Sequence, residues 1–538
     1  MISPVNLTIL ILWFISASID YAEFCYIWQL KEYRWDRFRD FLSTKQGGSY
    51  WTRYPMLWRS LAAIIILLWP INSVPTIKYA LIAFFCADII SQIWRLARGR
   101  IVLPVRTNKA FVLITIAMFL EGGLFVLSRD WAILFLLIII RFFLFTAVVF
   151  VFQYPTRWLK TYYVRKATSK ISRQILTVIG ITGSYGKTSV KEFLFHILSA
   201  KYRVAKTPRN VNTEIGVAQF ILSHDFSHDD IFIVEMGAYA VGEIQLICDM
   251  VKPKIGILTA INEQHLALFG SMENIQQAKY ELLRALPQDG LAVANSDNAY
   301  CREYLSELAS PVATFGSDEQ FFPDCLITDV DQTLSRLCCS FRLKGENATV
   351  CMSMLGEHQC TNIAPCILVA LHLDMTIADI TERAQSLKPI DQKLKLFTYG
   401  ACIVIDDSYN SNPEGFRSAL HLLGSFPSDY HRMVVTRGMI ELGGKSDDIH
   451  ERIGGEIAYC ADELILVSRE AEQAFRKGIG SKFHTTVGVI EDRGKLLKYI
   501  RSRFEEKCVI LLENRIPESI HEELTKERSL QKLKNIQQ

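Results

Sequence analysis

Five apolar runs in the first 152 residues constrain the fold of this chain more than any other feature of its sequence. They extend over Leu7 to Ile19, Leu61 to Val74, Tyr79 to Trp94, Ala110 to Leu127 and Trp131 to Phe152. A helix needs about 20 mostly apolar residues to cross the ~30 Å hydrocarbon core of a bilayer, so the last two runs fit best and the first three are shorter. We therefore predict an α-helical membrane region with about five spans.

The basic residues between these runs predict how the membrane region is oriented. No Lys or Arg precedes Lys31, and bulky residues follow the first run, so this run does not resemble a cleaved signal peptide. Lys and Arg are concentrated in alternate connections, at 31–53, 95–109 and 157–170. Because basic connections favour the cytoplasmic side of a membrane, we expect an external N-terminus and a cytoplasmic location for everything after the last span.

Four ionisable residues lie inside or beside the predicted spans, namely Asp20, Asp88, Glu121 and Arg141. Charged groups are costly in a bilayer, so each needs a partner or a polar cavity. One interpretation is pairing between helices, for example of Arg141 with Glu121. The other is a polar site for the head group of a lipid-linked substrate. The sequence does not separate these two interpretations.

The charge balance divides the chain into two unlike parts. Residues 1–176 contain 21 Lys and Arg against 8 Asp and Glu, whereas the remaining residues contain 38 against 48. With 538 residues, of which 50% are hydrophobic, the chain is neither a small disulfide scaffold nor a disordered tail. We predict a transmembrane region at 1–155, a basic linker at 156–174, a central nucleotide-binding α/β domain at 175–389 and a smaller C-terminal α/β domain at 390–538.

The cysteines indicate a reducing compartment. None of the thirteen forms a CxxC pair, so we expect no structural zinc site, and all but Cys25 and Cys86 fall in the predicted cytoplasmic part. Cys338 and Cys339 are adjacent, which argues against a disulfide between them and favours positions in a buried strand.

A phosphate-binding loop is predicted where the second part of the chain begins. A β-branched run from Ile175 leads into a glycine-rich turn and then into an amphipathic helix, which is the context that such a loop requires. The first glycine of the strict Walker pattern is missing, because Ile181 occupies its position; a chance turn is the alternative. The residues that would hold nucleotide phosphates and a Mg²⁺ ion are Gly183, Ser184, Gly186, Lys187, Thr188 and Ser189.

Three further residues follow predicted strands or lie on the helix after them. Glu235 ends the apolar run that starts at Asp230, where a carboxylate beside a phosphate loop is placed to bind a metal ion. His265 comes after the next run, and Lys279 lies on the following helix. Taken alone, this histidine fits a surface or core position, and this lysine fits a solvated helix face.

Together these motifs resemble those of the Mur ligase family, and most of all its branch that adds D-alanyl-D-alanine to UDP-N-acetylmuramoyl-tripeptide. The resemblance extends from about Ile175 to Ile516. It rests on TGSYGKTSVKE from Thr182, NVNTEIGV from Asn210, EMG from Glu235, GEI from Gly242, HLALFGS from His265, AKYE from Ala278 and DDSYNSNP from Asp406.

The resemblance implies both a reaction and a set of site residues. In the family, ATP phosphorylates a carboxylate and an amine then attacks the acyl phosphate, which gives an amide, ADP and phosphate. By resemblance, Lys187 holds the phosphates, Thr188 and Glu235 bind Mg²⁺, and His265 binds a second Mg²⁺. Lys279 matches a family lysine that is carbamylated, which would replace a cation beside the metal by an anion.

Other matched positions concern the nucleotide. Asn295 and Asn362 match residues near the adenine, although Asn295 also fits a plain turn. Asp407 matches a residue that reaches the nucleotide from the C-terminal domain. Lys393 stands where the family has an arginine, and a lysine cannot make the bidentate phosphate contact of an arginine. The implied fold is a P-loop central domain followed by a smaller, Rossmann-like domain with a largely parallel sheet.

These observations predict a membrane-anchored, ATP- and Mg²⁺-dependent amide ligase in a bacterial inner membrane, multi-pass, with cytoplasmic catalytic domains. Its expected partners are ATP, an amine such as D-Ala-D-Ala or an amino acid, a carboxylate of the cell envelope that is soluble or lipid-linked, and the membrane, but no nucleic acid. One alternative is a ligase for a different carboxylate, such as a poly-amino-acid or a lipid-linked glycan. A further alternative is an ATP-driven membrane transporter, against which His265, Lys279 and Asp407 argue together.

Overall fold

The structure is a computed structural model, and it describes two compact units, Met1–Tyr162 and Tyr163–Gln538. The described residues are 3–31, 33–43, 54–68, 74–98, 101–128, 130–263, 266–333, 336–388, 394–408, 413–439, 442, 445–480, 484–514, 516–517 and 520.

The described part of the first unit is helical. Its helices are α1 (Pro4–Leu30), α2 (Trp35–Ser43), α3 (Tyr54–Leu68), α4 (Val74–Ala97), α5 (Asn108–Ser128) and α6 (Ile133–Ile171), the last of which continues into the second unit. Within the described ranges, α1, α4, α5 and α6 are long and apolar enough to cross a membrane. The remaining predicted span, Leu61 to Val74, overlaps α3 at 61–68. The 15 residues of α3 are fewer than a bilayer needs, and residues 69–73 lie outside the described residues.

A buried network of charged side chains joins the helices of this unit. Arg141 donates from Nε to both carboxylate oxygens of Glu121, at 3.0 and 3.1 Å, and from Nη1 to Asp20 at 2.9 Å. Arg59, which sequence analysis did not single out, binds Asp20 at 3.0 Å and Asp88 at 2.6 Å. All five residues are 3% exposed or less. The predicted pairing of Arg141 with Glu121 is confirmed, and this burial favours helix pairing over a head-group site at these residues.

The second unit contains two sheets with helices packed around them. The first sheet has nine strands in the order β2-β3-β1-β4-β5-β6-β7-β8-β9. Its strands are β1 (Thr177–Thr182), β2 (Val204–Lys206), β3 (Ile231–Glu235), β4 (Ile255–Leu258), β5 (Leu291–Asn295), β6 (Val312–Gly316), β7 (Cys325–Gln332), β8 (Leu337–Leu343) and β9 (Asn347–Met352). The α-helices connecting them are α7 (Lys187–Leu198), α8 (Glu214–Ser223), α9 (Glu243–Val251), α10 (Leu266–Phe269), α11 (Met272–Arg284) and α12 (Ala299–Arg302).

The strands β1 to β7 run parallel, and β7, β8 and β9 pair antiparallel. The central strand β1 is rich in β-branched residues and almost completely buried, as expected for a strand covered on both faces. Two helices, α13 (His358–His372) and α14 (Ile377–Gln385), follow the sheet in the chain. Parallel pairing places the carboxyl ends of β1, β3 and β4 along one edge, which is where ligands bind in open α/β sheets.

The second sheet is smaller, with strand order β10-β11-β15-β12-β13-β14. Only the β10–β11 pair is antiparallel among its described pairs, so the predicted α/β fold with a largely parallel C-terminal sheet is confirmed. Its strands are β10 (Lys395–Tyr399), β11 (Cys402–Asp407), β12 (His431–Thr436), β13 (Glu463–Leu466), β14 (Thr486–Val489) and β15 (Cys508–Glu513). Its helices are α15 (Pro413–Gly424), α16 (Ser446–Cys460), α17 (Glu472–Ile479) and α18 (Arg493–Ser502).

Two disulfides join β8 to neighbouring elements. We had expected a reducing compartment, in which all the cysteines would be free thiols. Cys338 pairs with Cys351 on β9, and Cys339 pairs with Cys360 on α13. The two adjacent cysteines are not bonded to each other and both lie in a strand, as predicted. Successive residues of a strand point to opposite faces of the sheet, so they reach different partners.

Candidate active site

The glycine-rich loop connects β1 to α7, and its backbone requires glycine at two positions. Gly183 has φ +146°, and a Cβ there would lie 2.1 Å from the Thr259 hydroxyl oxygen. Gly186 has φ +81° and caps the N-terminus of α7. A glycine-rich turn leading into a helix N-terminus directs backbone N–H groups and the helix dipole toward an anion. Ile181, at the position of the first Walker glycine, lies inside β1 and is fully buried, so its side chain packs in the core around the sheet.

Lys187 is folded back across this loop. Its ammonium group donates to the carbonyl oxygens of Gly183 at 2.6 Å and Ser184 at 3.1 Å. Ser184 in turn donates its backbone N–H to the carbonyl of Ala260, at 2.7 Å, which ties the loop to the segment after β4. The predicted phosphate-binding residues are therefore brought together around one turn of chain.

Glu235 lies at the end of β3, beside the first turn of α7. Both of its carboxylate oxygens accept from the Thr188 hydroxyl, at 3.1 Å. Lys191 approaches the carboxylate to 3.0 Å, and Asn212 donates to it at 3.2 Å. Burial acts to raise the pKa of Glu235. The positive charges of Lys191 and Lys187, together with the hydrogen bonds from Lys191 and Asn212, outweigh burial, so that the pKa is lowered.

Sequence analysis missed Lys191 and Asn212 as partners of Glu235. Lys191 is completely buried, and it follows Lys187 by four positions, which places both on one face of a helix. That spacing could have identified Lys191 from the sequence as a neighbour of the predicted phosphate-binding loop. Asn212 belongs to a motif that was quoted, but only the fold shows that it contacts the carboxylate.

The Thr188–Glu235 pair has the donor chemistry of a Mg²⁺ site. Magnesium prefers oxygen ligands and is usually held by one or two protein groups together with phosphate oxygens and water. A hydroxyl and an ionised carboxylate that share a contact at the edge of a phosphate loop fit this requirement. His265, the predicted ligand of a second metal ion, lies outside the described residues, together with Gln264.

Lys279 lies on α11 with 3% of its surface exposed. Burial, followed by the positive charge of Lys187, lowers its pKa to about 7, although Glu243 and Glu281 act in the opposite direction. An amine with this pKa is largely uncharged slightly above neutral pH. Uncharged amine is the form that reacts with CO₂ to give a carbamate, so the environment suits the modification that the motif implies.

The two asparagines expected near the adenine both lie close to the loop. Asn362 is adjacent to the turn, because a Cβ on Gly186 would lie 2.6 Å from its Oδ1. Asn295 donates to the carbonyl of Thr259 at 3.1 Å and accepts from the N–H of Asp297 at 2.9 Å, so it also forms the turn that was the alternative interpretation.

The residues expected from the C-terminal domain are only partly described. Asp407 is buried at the end of β11, at the carboxyl edge of the second sheet. Lys393 lies outside the described residues. The domains of the second unit contact each other near the site, where Lys445 binds Glu263 at 3.2 Å.

Two family models match the second unit. Residues 181–370 match the Mur ligase middle domain, and residues 395–513 match the domain described as Mur ligase, glutamate ligase domain.

Curated relatives match more than half of this chain. UDP-N-acetylmuramoyl-tripeptide–D-alanyl-D-alanine ligase of Bacillus subtilis (strain 168) is 30% identical over 282 residues, which are 52% of this chain and 60% of that protein. The enzyme of the same name from Escherichia coli (strain K12) is 28% identical over 324 residues, 60% of this chain and 71% of that protein. The chain thus spans less than two thirds of the length of the Bacillus relative.

Solved structures show the same fold. MurF ligase from Thermotoga maritima, in complex with ADP, superimposes with a TM-score of 0.60 at 27% identity, covering 68% of this chain and 84% of that chain. MurF from Acinetobacter baumannii has a TM-score of 0.61 at 23% identity, covering 68% of this chain and 80% of that chain, which supports the fold.

Proposed function

This chain belongs to the Mur ligase family, and from that premise we propose that it is a membrane-attached, ATP-dependent amide ligase acting through an acyl phosphate. Its substrates are D-Ala-D-Ala or a similar amine and a carboxylate of a peptidoglycan precursor, either soluble or lipid-linked. The observation that carries the proposal is the phosphate loop that holds the Thr188–Glu235 pair, in the same domain as the buried Lys279 with its lowered pKa.

We assign the following roles to the residues of the site. The loop N–H groups and Lys187 bind and orient the ATP phosphates. Thr188 and Glu235 would hold one Mg²⁺, while carbamylated Lys279 and His265 would hold another. When bound, Mg²⁺ neutralises charge on the transferring phosphoryl group. Lys191 and Asn212 keep the Glu235 carboxylate ionised and fixed in place.

The proposed reaction has two steps. A carboxylate oxygen of the acyl substrate attacks the γ-phosphorus of ATP, which forms an acyl phosphate and releases ADP. The amine then attacks the acyl carbon, and phosphate leaves as the amide forms and the amine loses one proton. Asn295 and Asn362 would orient the base of the nucleotide. Asp407 and Lys393 would contact the nucleotide from the C-terminal domain. Both steps depend mainly on positioning and on charge neutralisation.

A second candidate is a ligase of the same chemistry for a different carboxylate. The match to the middle-domain model begins at residue 181, and helices that are long and apolar enough to cross a membrane precede that point in the chain. By resemblance, soluble members have in this place a domain that grips the uridine-diphospho sugar. A chain that holds membrane helices there fits a poly-amino-acid or a lipid-linked glycan as acyl substrate. A transporter, the remaining alternative, would hydrolyse ATP without an amine.

We also propose a bacterial inner membrane location with the catalytic domains in the cytoplasm. The support for it is the alternation of basic and near-neutral connections between the apolar helices.

The test is ADP release by the detergent-purified full chain with D-Ala-D-Ala, in the presence of either the nucleotide-linked or the lipid-linked tripeptide. We expect ADP release over many turnovers, beyond one ADP per enzyme, only when ATP, the amine and one tripeptide are all present. Stimulation by the nucleotide-linked form makes the membrane region an anchor, whereas stimulation only by the lipid-linked form gives that region a part in substrate binding. ATP hydrolysis without an amine would contradict the ligase, and silence with both tripeptides would favour another carboxylate. Lys187→Ala is the inactive control.

A further inference from the structure

A disulfide fastens the first turn of α13 to the first sheet. Cys339 on β8 pairs with Cys360, which is the third residue of α13. Both side chains are 1% exposed or less, and we call their bond the inner disulfide. Glu357, at the N-terminal cap position of α13, makes no side-chain capping hydrogen bond. The start of this helix therefore depends more on the inner disulfide than a capped helix would.

The same turn of α13 lies against the phosphate loop. Asn362 follows Cys360 by two residues, and a Cβ on Gly186 would lie 2.6 Å from its Oδ1. The Asn362 amide donates from Nδ2 to Oε1 of Gln359 at 3.0 Å. Because Gln359 directly precedes Cys360, the side chain that faces the loop is oriented by the turn that the inner disulfide fastens. A displacement of this turn would displace Asn362 from Gly186.

The rest of α13 has contacts of its own that do not involve this bond. The helix packs against α7, where the Cys366 thiol lies 3.6 Å from the Val190 carbonyl oxygen. Ile363 and Ile367 are buried in the same hydrophobic core as Ile179 of β1. Opening of the inner disulfide should thus loosen the first turn of α13 and leave the fold intact.

The second disulfide of β8 provides a matched comparison. Cys338 pairs with Cys351, its direct neighbour in the antiparallel β8–β9 pair. Both residues are partly exposed, and we call their bond the outer disulfide. Successive residues of a strand point to opposite faces, so the outer disulfide lies on the face of the sheet away from α13. It joins two strands that are already hydrogen-bonded, and its loss should leave the first turn of α13 unchanged.

Both disulfides belong to a domain that we place in the cytoplasm. Cytosolic disulfides are usually transient and either catalytic or redox-sensing. We infer that the inner disulfide positions Asn362 for ATP binding, and that its reduction by a dithiol weakens this binding. The inference rests on the proposed ligase function and goes beyond it by giving the ATP site a redox regulation.

The redox step balances with a dithiol as the reductant. A thiolate of the dithiol attacks one sulfur of the inner disulfide, which gives a mixed disulfide and frees one cysteine. The second thiol of the reductant then attacks the mixed disulfide and frees the other cysteine. Two electrons and two protons pass to Cys339 and Cys360, and the reductant becomes a disulfide. Because the bond is buried, the first attack requires local opening of the first turn of α13.

The test is equilibrium dialysis of ATP with Mg²⁺ against the full chain in detergent. In Cys338→Ser with Cys351→Ser, the outer disulfide is removed and only the inner one remains to be reduced. We expect dithiothreitol to raise the Kd of this variant for ATP at least about fivefold, the lower end of typical coupling between two sites. Cys339→Ala with Cys360→Ala should bind ATP as weakly as the reduced protein and should not respond to dithiothreitol. If a variant does not fold, reduction of the wild type gives the same comparison without a substitution.

A reciprocal measurement separates a positioning role from a merely structural one. If oxidation strengthens ATP binding, ATP must favour the oxidised inner disulfide by the same factor. In a buffer of reduced and oxidised dithiothreitol, saturating ATP should therefore raise the oxidised-to-reduced ratio of the inner disulfide at least about fivefold. The ratio of the outer disulfide should stay the same. Each ratio is measured in the double variant that keeps only that bond, by alkylation of free thiols and mass spectrometry.

Three results would overturn the inference while leaving the ligase intact. They are an equal Kd for ATP before and after reduction, a ratio of the inner disulfide that ATP does not change, and absence of the bond between Cys339 and Cys360 in air-oxidised protein. None of these measurements needs turnover, so they apply even if the ligase assay is silent. Absence of ATP binding in both redox states would overturn the proposed function together with the inference.

Discussion

At the scale of single residues, Lys279 combines a cationic side chain with surroundings that disfavour its charge. Burial and Lys187 lower its pKa to about 7, so the fraction of uncharged amine increases as the pH rises through that value. A carbamate forms only from uncharged amine. We therefore expect ligase activity at a fixed CO₂ concentration to rise from mildly acidic to mildly alkaline pH.

Replacing this lysine tests its role directly. Lys279→Ala should lower amine-dependent ADP release by about a hundredfold or more, the scale of losing one charge-stabilising group at a reacting centre. Short carboxylic acids should restore part of the activity by replacing the carbamate. The control is Lys254→Ala, whose side chain is half exposed and ion-paired with Asp289. Full activity of Lys279→Ala with no response to added acids would contradict the carbamate.

At the level of residues, the sequence predicts local placement best where all the residues of a predicted site belong to one short motif. The loop residues from Gly183 to Ser189 are adjacent in the chain, and the structure places them around one turn. The partners of Glu235 were harder, because Asn212 and Lys191 are separated from it by 23 and 44 positions and only the parallel strands bring them together. The phosphate, metal and nucleotide roles of all these residues remain predictions, and His265 and Lys393 also lie outside the described residues.

At the scale of elements, the helices of the first unit depend on a charge network that their sequences do not display. Arg141 on α6 binds carboxylates from α1 and α5, while Arg59 on α3 binds carboxylates from α1 and α4. Apolar length predicted the helices, but it did not predict which side chains pair between them. Arg59 lies just before the apolar run that starts at Leu61, and sequence analysis placed it neither in that run nor in the basic connection at 31–53.

We expect Arg141→Met to destabilise this unit strongly. Removing one partner of a buried ion pair leaves an uncompensated charge, at a cost of about 3–5 kcal/mol. The measurement is the thermal unfolding midpoint in detergent. Arg98→Met, an exposed arginine that lies over the Trp94 ring at 4.1 Å, should unfold like the wild type.

A double variant completes the argument about the pair. Arg141→Met with Glu121→Gln removes both charges and should recover part of the lost stability. An unchanged midpoint for Arg141→Met alone would mean that the network does not hold the helices together.

At the scale of the whole molecule, the number of spans decides which side of the membrane each end occupies. Five spans place Ser3 and the second unit on opposite sides, whereas four place them on the same side. The basic connections favour an external N-terminus and a cytoplasmic second unit. The predicted span from Leu61 to Val74, of which residues 69–73 lie outside the described residues, is the one that decides between the two topologies.

Labelling of intact cells with a membrane-impermeant maleimide distinguishes the two topologies. In a Cys86→Ser background, which removes an exposed thiol, Ser3→Cys should react and Ser502→Cys should not. Reaction of both or of neither would put the two ends on one side and favour four spans. Permeabilised cells provide the control, since both cysteines should then react.

The division into an apolar helical part and an α/β part was predictable because composition changes abruptly along the chain. The order of strands was not predictable, since β1 lies between β3 and β4 and the neighbours of a strand depend on crossovers that leave no local pattern. The disulfides of β8 were also missed, because pairing with Cys351 and Cys360 follows from strand register and from the docking of α13.

The buried amine of Lys279 also has a consequence for cell physiology. Forming a carbamate consumes one molecule of dissolved CO₂ and releases one proton, so under the proposed function the fraction of the protein that carries the carbamate would depend on the concentrations of both CO₂ and protons. A cell that depends on such an enzyme would thus couple the supply of envelope precursors to the inorganic carbon in its cytoplasm.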